Sequence, residues 1–197
     1  MPYEAIVIGA SAGGLQALKM VLSSLPGSFP FPIAIVQHMA ESSENFMAEL
    51  LNHASRITVK EAEDKESLCP GTAYVAPPGY HLLIEPDRSF SLSVDERINH
   101  ARPSIDVLFE SAAEAFAEAL IGIILTGANA DGAQGLKTIK AYGGLAIVED
   151  PQSAEQPAMP KAALSATTVD HVVTLERLVP LLLQLTAHES EAYGTHG

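Results

Sequence analysis

One serine occupies a position in the sequence that supports chemistry. Ser11 lies in the turn Gly9-Ala10-Ser11-Ala12-Gly13-Gly14, which follows the apolar run 5–8 and precedes an amphipathic stretch, 15–25. This pattern predicts a strand, a tight turn and a helix. The Ser11 hydroxyl is therefore expected beside the unpaired N–H groups that begin the helix. Such a position suits a nucleophile or a phosphate ligand, and it also suits a serine that caps the helix.

Two known motifs are similar to this turn. The dinucleotide-binding fingerprint needs glycine where Ser11 stands, and an acidic residue at the tip of the second strand. The sequence has Gln37-His38 at that tip, which disfavours this motif. The nucleophile elbow Gly-x-Ser-x-Gly is matched by Gly9, Ser11 and Gly13. In the α/β-hydrolase fold, however, a long stretch of chain precedes the elbow, so the sequence indicates shared local chemistry on a different fold.

A base and an acid for Ser11 follow two other apolar runs. His38 comes after the run 33–36, and Asp131 comes in the loop after the run 121–125. If these runs are neighbouring parallel strands, all three side chains lie at the same edge of the sheet. A nucleophilic serine needs a base and a group that orients the base. Taken singly, His38 can be a hydrogen-bonded loop histidine and Asp131 a turn or capping aspartate.

The elements around these residues predict the fold class. Strand-like runs alternate with helical patterns along most of the chain, which indicates an α/β protein with a doubly wound, mostly parallel sheet. The segment 70–97 differs, because it holds three short β-like runs separated by proline-rich turns. We expect an antiparallel β-hairpin or meander there, inserted into the sheet or lying at its edge. The strand-like runs are 5–8, 33–36, 57–59, 72–76, 81–84, 89–94, 121–125, 145–148 and 171–173, and the helical stretches are 15–25, 43–53, 104–119, 133–142, 160–165 and 175–185.

Composition narrows the functional classes. The 197 residues carry a net charge of −13, which disfavours nucleic acid and anionic membrane surfaces as partners. The single cysteine, Cys69, rules out a disulfide framework within the chain and suits a reducing compartment. No apolar run is long enough for a membrane span, and the histidines lack metal-ligand spacing. We therefore expect a cytoplasmic protein that needs no metal, and ester hydrolysis by a nucleophilic serine would need no cofactor.

Six ordered segments point to a family. Together they resemble the catalytic domain of the bacterial chemotaxis protein-glutamate methylesterases of the CheB type, and the resemblance spans residues 4–185. The segments are Gly9-Ala10-Ser11-x-Gly13-Gly14, Gln37-His38-Met39, Pro70-Gly71-x-Ala73-Tyr74-Val75-Ala76-Pro77, Arg102-Pro103-Ser104-Ile105-Asp106-Val107-Leu108-Phe109, Leu125-Thr126-Gly127 with Asp131-Gly132-Ala133, and Met159-Pro160.

The resemblance implies a function and a site. It implies that Ser11, His38 and Asp131 form a catalytic triad on a doubly wound sheet with a β-hairpin. It also implies hydrolysis of glutamate γ-methyl esters on the cytoplasmic helices of methyl-accepting chemoreceptors, and deamidation of glutamines there. The family commonly has Thr where Ala12 stands and Met-Gly-Asn where the chain has 128–130. Because backbone N–H groups are independent of these side chains, oxyanion binding near Ala12 and Ala128 is expected to survive.

Further expectations concern the substrate, the domain boundaries and the regulation. Asn99 and Arg102 precede a predicted helix and are candidates for contacts with a substrate helix or carboxylate, with surface charge pairing as the alternative. We expect a catalytic domain over 1–188, a flexible tail over 189–197 and no receiver domain, so that regulation would need a separate receiver or chemosensory partner. Two alternative functions are a Rossmann-like module that binds a nucleotide or phosphate, and a chemosensory scaffold without catalytic turnover.

Overall fold

The fold is built around one parallel β-sheet. The structure, a computed structural model, describes residues 3–38 and 46–192, the last six of them by backbone alone. Seven strands form the sheet in the order β3-β4-β2-β1-β7-β8-β9, and every pair in it is parallel. The strands of the described residues are β1 (Ala5–Ala10), β2 (Ile33–Gln37), β3 (Thr58–Glu61), β4 (Thr72–Val75), β5 (His81–Ile84), β6 (Phe90–Ser93), β7 (Leu120–Ile124), β8 (Leu145–Glu149) and β9 (His171–Val173).

Helices cover both faces of this sheet, which confirms the predicted doubly wound class. Helices α1, α2 and α6 pack on one face and α3, α4 and α5 on the other, and each face has its own apolar core. Strands buried on both faces read as continuous apolar runs, which is why the sequence located them. The helices are α1 (Gly14–Ser24), α2 (Met47–Ala54), α3 (Ile105–Phe116), α4 (Ala133–Ala141), α5 (Ala158–Ala166) and α6 (Leu175–Ala192), with a 3₁₀ turn at Ala117–Ala119.

The three central strands end together. Strand β1 is fully buried and pairs with β2 on one side and with β7 on the other. Gly9 of β1 is in register with Val36 of β2 and with Ile124 of β7. The loops that follow these strands therefore leave the sheet at the same edge. The strand order also reverses direction at β1, and open α/β sheets keep their ligand sites at such a switch point.

The segment 70–97 differs in part from the sequence expectation. Its first run, Thr72–Val75, pairs parallel with β2 and β3 inside the main sheet, where Ala73, Tyr74 and Val75 are buried. The antiparallel hairpin therefore has two strands, β5 and β6, which form a small separate sheet. The start of α3 lies over this hairpin, where the Ser104 N–H donates to Nδ1 of the buried His81 at 3.2 Å. The Nε2–H of His81 in turn donates to the Glu96 carbonyl at 3.0 Å.

Two predicted regions fall partly outside the described residues. The predicted helix 43–53 appears as α2 from Met47, and residues 43–45 lie outside the description. The predicted tail 189–197 stays a prediction, since α6 includes its first residues to Ala192 and 193–197 are not described. Across the described residues, no helix combines the length and the apolarity that a membrane crossing requires.

Candidate active site

Ser11 stands in the turn between β1 and α1, fixed by the two neighbouring strands. Its N–H donates to the Thr126 carbonyl, which follows β7, at 2.9 Å. Its carbonyl accepts the side-chain amide of Gln37, the last residue of β2, at 2.8 Å. The next residues turn sharply because Gly13 has φ +79°, a conformation that glycine adopts without strain. The serine hydroxyl is thus held at the edge of the sheet, half-buried.

The start of α1 offers hydrogen-bond donors beside this hydroxyl. Within the part of the chain that the structure describes, the N–H groups of Ala12 and Gly13 have no protein acceptor. Unpaired N–H groups at a helix N-terminus stabilise a negatively charged atom placed next to them. The exposed carboxylate of Glu155 also lies here, since a Cβ built on Gly13 would be 2.8 Å from Glu155 Oε2. Donors that suit an oxyanion therefore share the turn with one acidic side chain.

His38 and Asp131 form the strongest polar contact of the site. His38 Nε2 lies 2.8 Å from Asp131 Oδ2, although the two residues are 93 positions apart in the chain. The Asp131 side chain is almost fully buried, whereas 14% of the His38 side chain is exposed. A deeply buried carboxylate beside a partly exposed imidazole is the arrangement in which an acid orients a base.

Asp131 accepts five further hydrogen bonds besides the one from His38. Most of them come from the start of α3, whose backbone N–H groups point at the carboxylate. The donors are the Ser104 hydroxyl at 2.9 Å, the Asn99 amide at 3.3 Å, and the N–H groups of Ile105 at 2.7 Å, Asp106 at 3.2 Å and Gly132 at 3.1 Å. A carboxylate with this many donors is ionised and held in one orientation.

Two neighbouring carboxyl groups have opposite pKa shifts. Burial alone would raise the pKa of Asp131, but the hydrogen bonds from His38 and from the N–H groups of Ile105 and Asp106 hold it below its ordinary value. Burial, together with the negative charge of Asp131, raises the pKa of Asp106 to about 6. Asn99 donates to both carboxylates, at 3.0 Å to Asp106 and 3.3 Å to Asp131. The site therefore has one firmly ionised acid and one that titrates near neutrality.

Asn129 stands between the serine and the histidine. Its side-chain amide Nδ2 lies 3.0 Å from His38 Nδ1 and 3.5 Å from Ser11 Oγ. Its Oδ1 accepts the N–H of Asp131 at 3.0 Å. Among the described residues, no hydrogen bond joins Ser11 Oγ directly to the His38 ring. The serine and the histidine are therefore linked through the amide of Asn129.

The other candidate residues have varied surroundings. Asn99 contacts the carboxylates of the site, as described above. The Arg102 guanidinium donates to the carbonyls of Val94 at 2.8 Å and Asp95 at 3.0 Å, so it ties its own loop together. Ala128 is exposed in the loop after β7 that also carries Asn129. Two expectations stay predictions: that the substrate contacts Asn99 and Arg102, and that an oxyanion binds near Ala12 and Ala128.

Three residues of the site were missed by the sequence reasoning. Ser104 and Asp106 belong to a quoted segment and to the start of the predicted helix 104–119, but neither was assigned to the site. The Ser104 hydroxyl makes no cap hydrogen bond and donates to Asp131 instead. Asn129 could have been noticed in the sequence, because it lies in the segment 128–130 where the chain departs from the family pattern. In the described residues, no group of three or more His, Cys, Asp or Glu side chains is arranged to hold a metal ion.

Comparisons with known proteins agree on one family. The family model for CheB methylesterase matches residues 6–182. A putative protein-glutamate methylesterase/protein-glutamine glutaminase of Leptospira interrogans is 54% identical over 191 residues, which is 97% of this chain and 99% of that protein. Protein-glutamate methylesterase FrzG of Myxococcus xanthus is 39% identical over 93% of this chain, which spans 55% of FrzG. The crystal structure of the Thermotoga maritima CheB methylesterase catalytic domain matches 94% of this chain and all of that chain, with a TM-score of 0.89 at 36% identity.

Proposed function

Because the chain belongs to the CheB methylesterase family, we propose that Ser11, His38 and Asp131 are the catalytic triad of a serine esterase. Family membership confirms the expected enzyme class, protein-glutamate methylesterase, and the expected fold. The proposed reaction is hydrolysis of glutamate γ-methyl esters on methyl-accepting chemoreceptors, with deamidation of receptor glutamines as a second reaction. The observation that carries the proposal is the 2.8 Å contact between His38 and the buried Asp131, at the sheet edge that also holds Ser11.

The mechanism follows from which nitrogen of the histidine faces which partner. Nε2–H donates to Asp131, which leaves Nδ1 as the unprotonated nitrogen on the side of Ser11. In the proposed first step, Ser11 Oγ bonds to the ester carbonyl carbon and its proton moves to His38 Nδ1. Asp131 stabilises the resulting imidazolium and keeps its ring oriented. The charge on the carbonyl oxygen is stabilised by the N–H groups of Ala12 and Gly13.

The second half of the reaction regenerates the serine. The proton on His38 passes to the methoxide leaving group, so that methanol leaves and an acyl-enzyme remains. A water molecule then gives a proton to His38 and bonds to the acyl carbon. The Ser11 Oγ–carbon bond breaks, Ser11 recovers its proton from His38, and the receptor leaves with a free glutamate side chain. With a glutamine substrate the leaving group is ammonia, and every other step is the same. Apart from that water molecule, the steps use side chains and backbone groups of this chain.

The proposal includes a partner and a location. The substrate would be the cytoplasmic helices of chemoreceptors, which places the reaction in the cytoplasm. A separate receiver or chemosensory protein would regulate access to these helices. The net charge of −13 speaks against nucleic acid as a partner.

The geometry disfavours binding of a phosphate group at the turn after β1. A phosphate bound at the start of α1 would lie against the carboxylate of Glu155, which already rests on Gly13. Like charges at such distances repel each other. The second strand ends in Gln37, whose side chain donates to Ser11 and His38 carbonyls rather than offering an acid to a ribose. An ester substrate is neutral when it binds, so it meets this repulsion only when the carbonyl oxygen becomes charged, whereas a phosphate meets it from the start.

The test compares Ser11→Ala with a control substitution at a second serine, Ser24→Ala. Methanol release from methylated receptor membranes is measured for the wild type, for Ser11→Ala and for Ser24→Ala. By analogy with other triads, Ser11→Ala is expected to lower turnover about a millionfold. Ser24 is the last residue of α1, the helix that follows Ser11, and its hydroxyl donates to the Met20 carbonyl, so Ser24→Ala is expected to keep full activity. A Ser11→Ala protein that retains near wild-type release would overturn the proposal.

A further inference from the structure

The orientation of the Asn129 amide is determined by its neighbours. Oδ1 accepts the backbone N–H of Asp131, which can only donate. The opposite amide orientation would place two donors face to face, so Nδ2 must point towards His38 and Ser11. Because Nδ2 is a donor, His38 Nδ1 must be the acceptor in their 3.0 Å contact. This agrees with the proton on Nε2, which donates to Asp131.

The consequence concerns one lone pair. A neutral imidazole with its proton on Nε2 has a single acceptor site, on Nδ1. Asn129 already donates to that site at 3.0 Å, whereas its distance to Ser11 Oγ is 3.5 Å. The serine hydroxyl cannot donate its proton to Nδ1 while the amide occupies the same lone pair. In the described arrangement the proposed base is therefore engaged by a residue other than the nucleophile.

We propose that the Asn129 amide caps His38 Nδ1 and must move aside before Ser11 can be deprotonated. This inference rests on the proposed function, since it assumes that His38 is the base for Ser11. Asn129 is exposed, so its amide can turn towards solvent without disturbing the core. An ester group that enters the space between Ser11 and His38 displaces the amide. Ser11 then makes the hydrogen bond to Nδ1.

Asn129 is not needed to orient the histidine. Asp131 fixes Nε2 at 2.8 Å, and Asp131 is itself held by five donors other than His38. Of the charged groups in the described residues, Asp131 is the one in hydrogen-bond contact with the His38 ring, and Asp106 stands behind it through Asn99. Removal of the Asn129 amide therefore leaves the ring oriented and releases its lone pair.

Two variants separate this role from a structural one. Asn129→Ser retains a short oxygen that can accept the Asp131 N–H, as serine does in turns, but it cannot reach His38. Asn129→Ala loses both contacts. The rate of Ser11 labelling by a fluorophosphonate is measured at pH 8. In this reaction the Oγ–P bond forms, the P–F bond breaks, fluoride leaves and the Ser11 proton goes to His38. This small probe reports on the serine and its base without a receptor.

Asn129→Ser is the deciding variant. We expect it to label about two- to tenfold faster than the wild type, which is the range for loss of one ordinary hydrogen bond. We also expect the midpoint of its pH–rate profile to move to higher pH, because the amide bonds to the neutral ring and not to the protonated one. A residue that served the turn alone would leave this midpoint unchanged. Asn129→Ala is expected to show the same shift, with a lower melting temperature from the lost contact to Asp131.

Each outcome has a separate meaning. Wild-type protein that neither labels at Ser11 nor releases methanol would overturn the proposed function, and this inference with it. Wild-type protein that does both, beside an Asn129→Ser variant with an equal or slower labelling rate, would overturn the cap while leaving the triad in place. Faster labelling by Asn129→Ser with the shifted midpoint supports the cap.

Discussion

Replacing Asp131 with asparagine tests the site most directly, because the structure determines where the new amide must point. Oδ1 of the carboxylate receives four donors, whereas Oδ2 receives His38 Nε2 and the Ile105 N–H. The NH₂ group of an asparagine meets fewer donors at the Oδ2 position. There it donates to His38 Nε2, so the imidazole proton moves to Nδ1. The nitrogen that should accept the Ser11 proton then already carries one.

The expected loss follows from this exchange of tautomers. In another triad the same substitution lowers turnover about ten-thousandfold, and we expect a comparable loss of methanol release here. The Ile105 N–H loses its acceptor as well, which should lower the free energy of unfolding by about 1–3 kcal/mol. Asp170→Asn is the matched control. That carboxylate accepts the Ala146 N–H at 2.7 Å and pairs with Lys140, and it precedes β9 at the opposite edge of the sheet.

The assay compares both variants with the wild type in methanol release and in urea unfolding. Asp170→Asn is expected to lose stability and to keep its rate within about twofold, since its hydrogen bonds are ordinary ones far from the site. Folded Asp131→Asn protein that keeps more than about a tenth of the wild-type rate would refute the tautomer argument. A proton on Nδ1 prevents His38 from accepting the Ser11 proton, so the loss of rate should be much larger than about tenfold. The control excludes loss of stability as the cause.

Two other carboxylates give predictions of their own. Burial and Asp131 raise the pKa of Asp106 from 3.8 to about 6, so the folded protein binds its proton more tightly than the unfolded chain does. Wild-type stability should therefore fall as the pH rises from about 4 to 6. Asp106→Asn lacks this titration, and urea unfolding should show its relative stability growing by about 1–2 kcal/mol over that range after solvent screening; a pH-independent difference would contradict this. Glu155→Gln removes the negative charge beside Gly13 and should raise kcat/KM about two- to fivefold at low salt, with a smaller gain at high salt, and an unchanged value would show that Glu155 does not repel the oxyanion.

The strands that carry the site were predictable from sequence because of how they are buried. Strands β1, β2 and β7 have no exposed face, so their apolar residues run without interruption. The residues after such runs must lie at the strand ends, which is how Ser11 and His38 were located. The run Thr72–Val75 has the same character, yet its position between proline-rich turns suggested a hairpin. Its placement in the main sheet depends on β2 and β3, which no local pattern reveals.

The surroundings of Asp131 could not be predicted in the same way. Ser104 and Ile105 reach the carboxylate from 27 and 26 residues away, because α3 packs against α4 and directs its first turn at the loop after β7. The local sequence predicted that a helix starts at Ser104, but it gave no sign that the start of this helix would donate hydrogen bonds to Asp131. The contacts of Asn129 form where the loops after β1, β2 and β7 meet. The sequence showed that residue 129 departs from the family pattern, but it could not show which residues Asn129 contacts.

The insertion of β7 beside β1 divides the machinery between distant halves of the chain. Fragment 1–95 holds Ser11 and His38 of the proposed triad, and fragment 96–197 holds Asp131. The cut would fall in an exposed loop, between Asp95 and Glu96. Neither fragment alone contains all three residues of the proposed triad. If the two fragments are mixed, the rate of ester cleavage would measure how many pairs have associated through β1 and β7. The split protein could therefore serve as a reporter of sheet assembly.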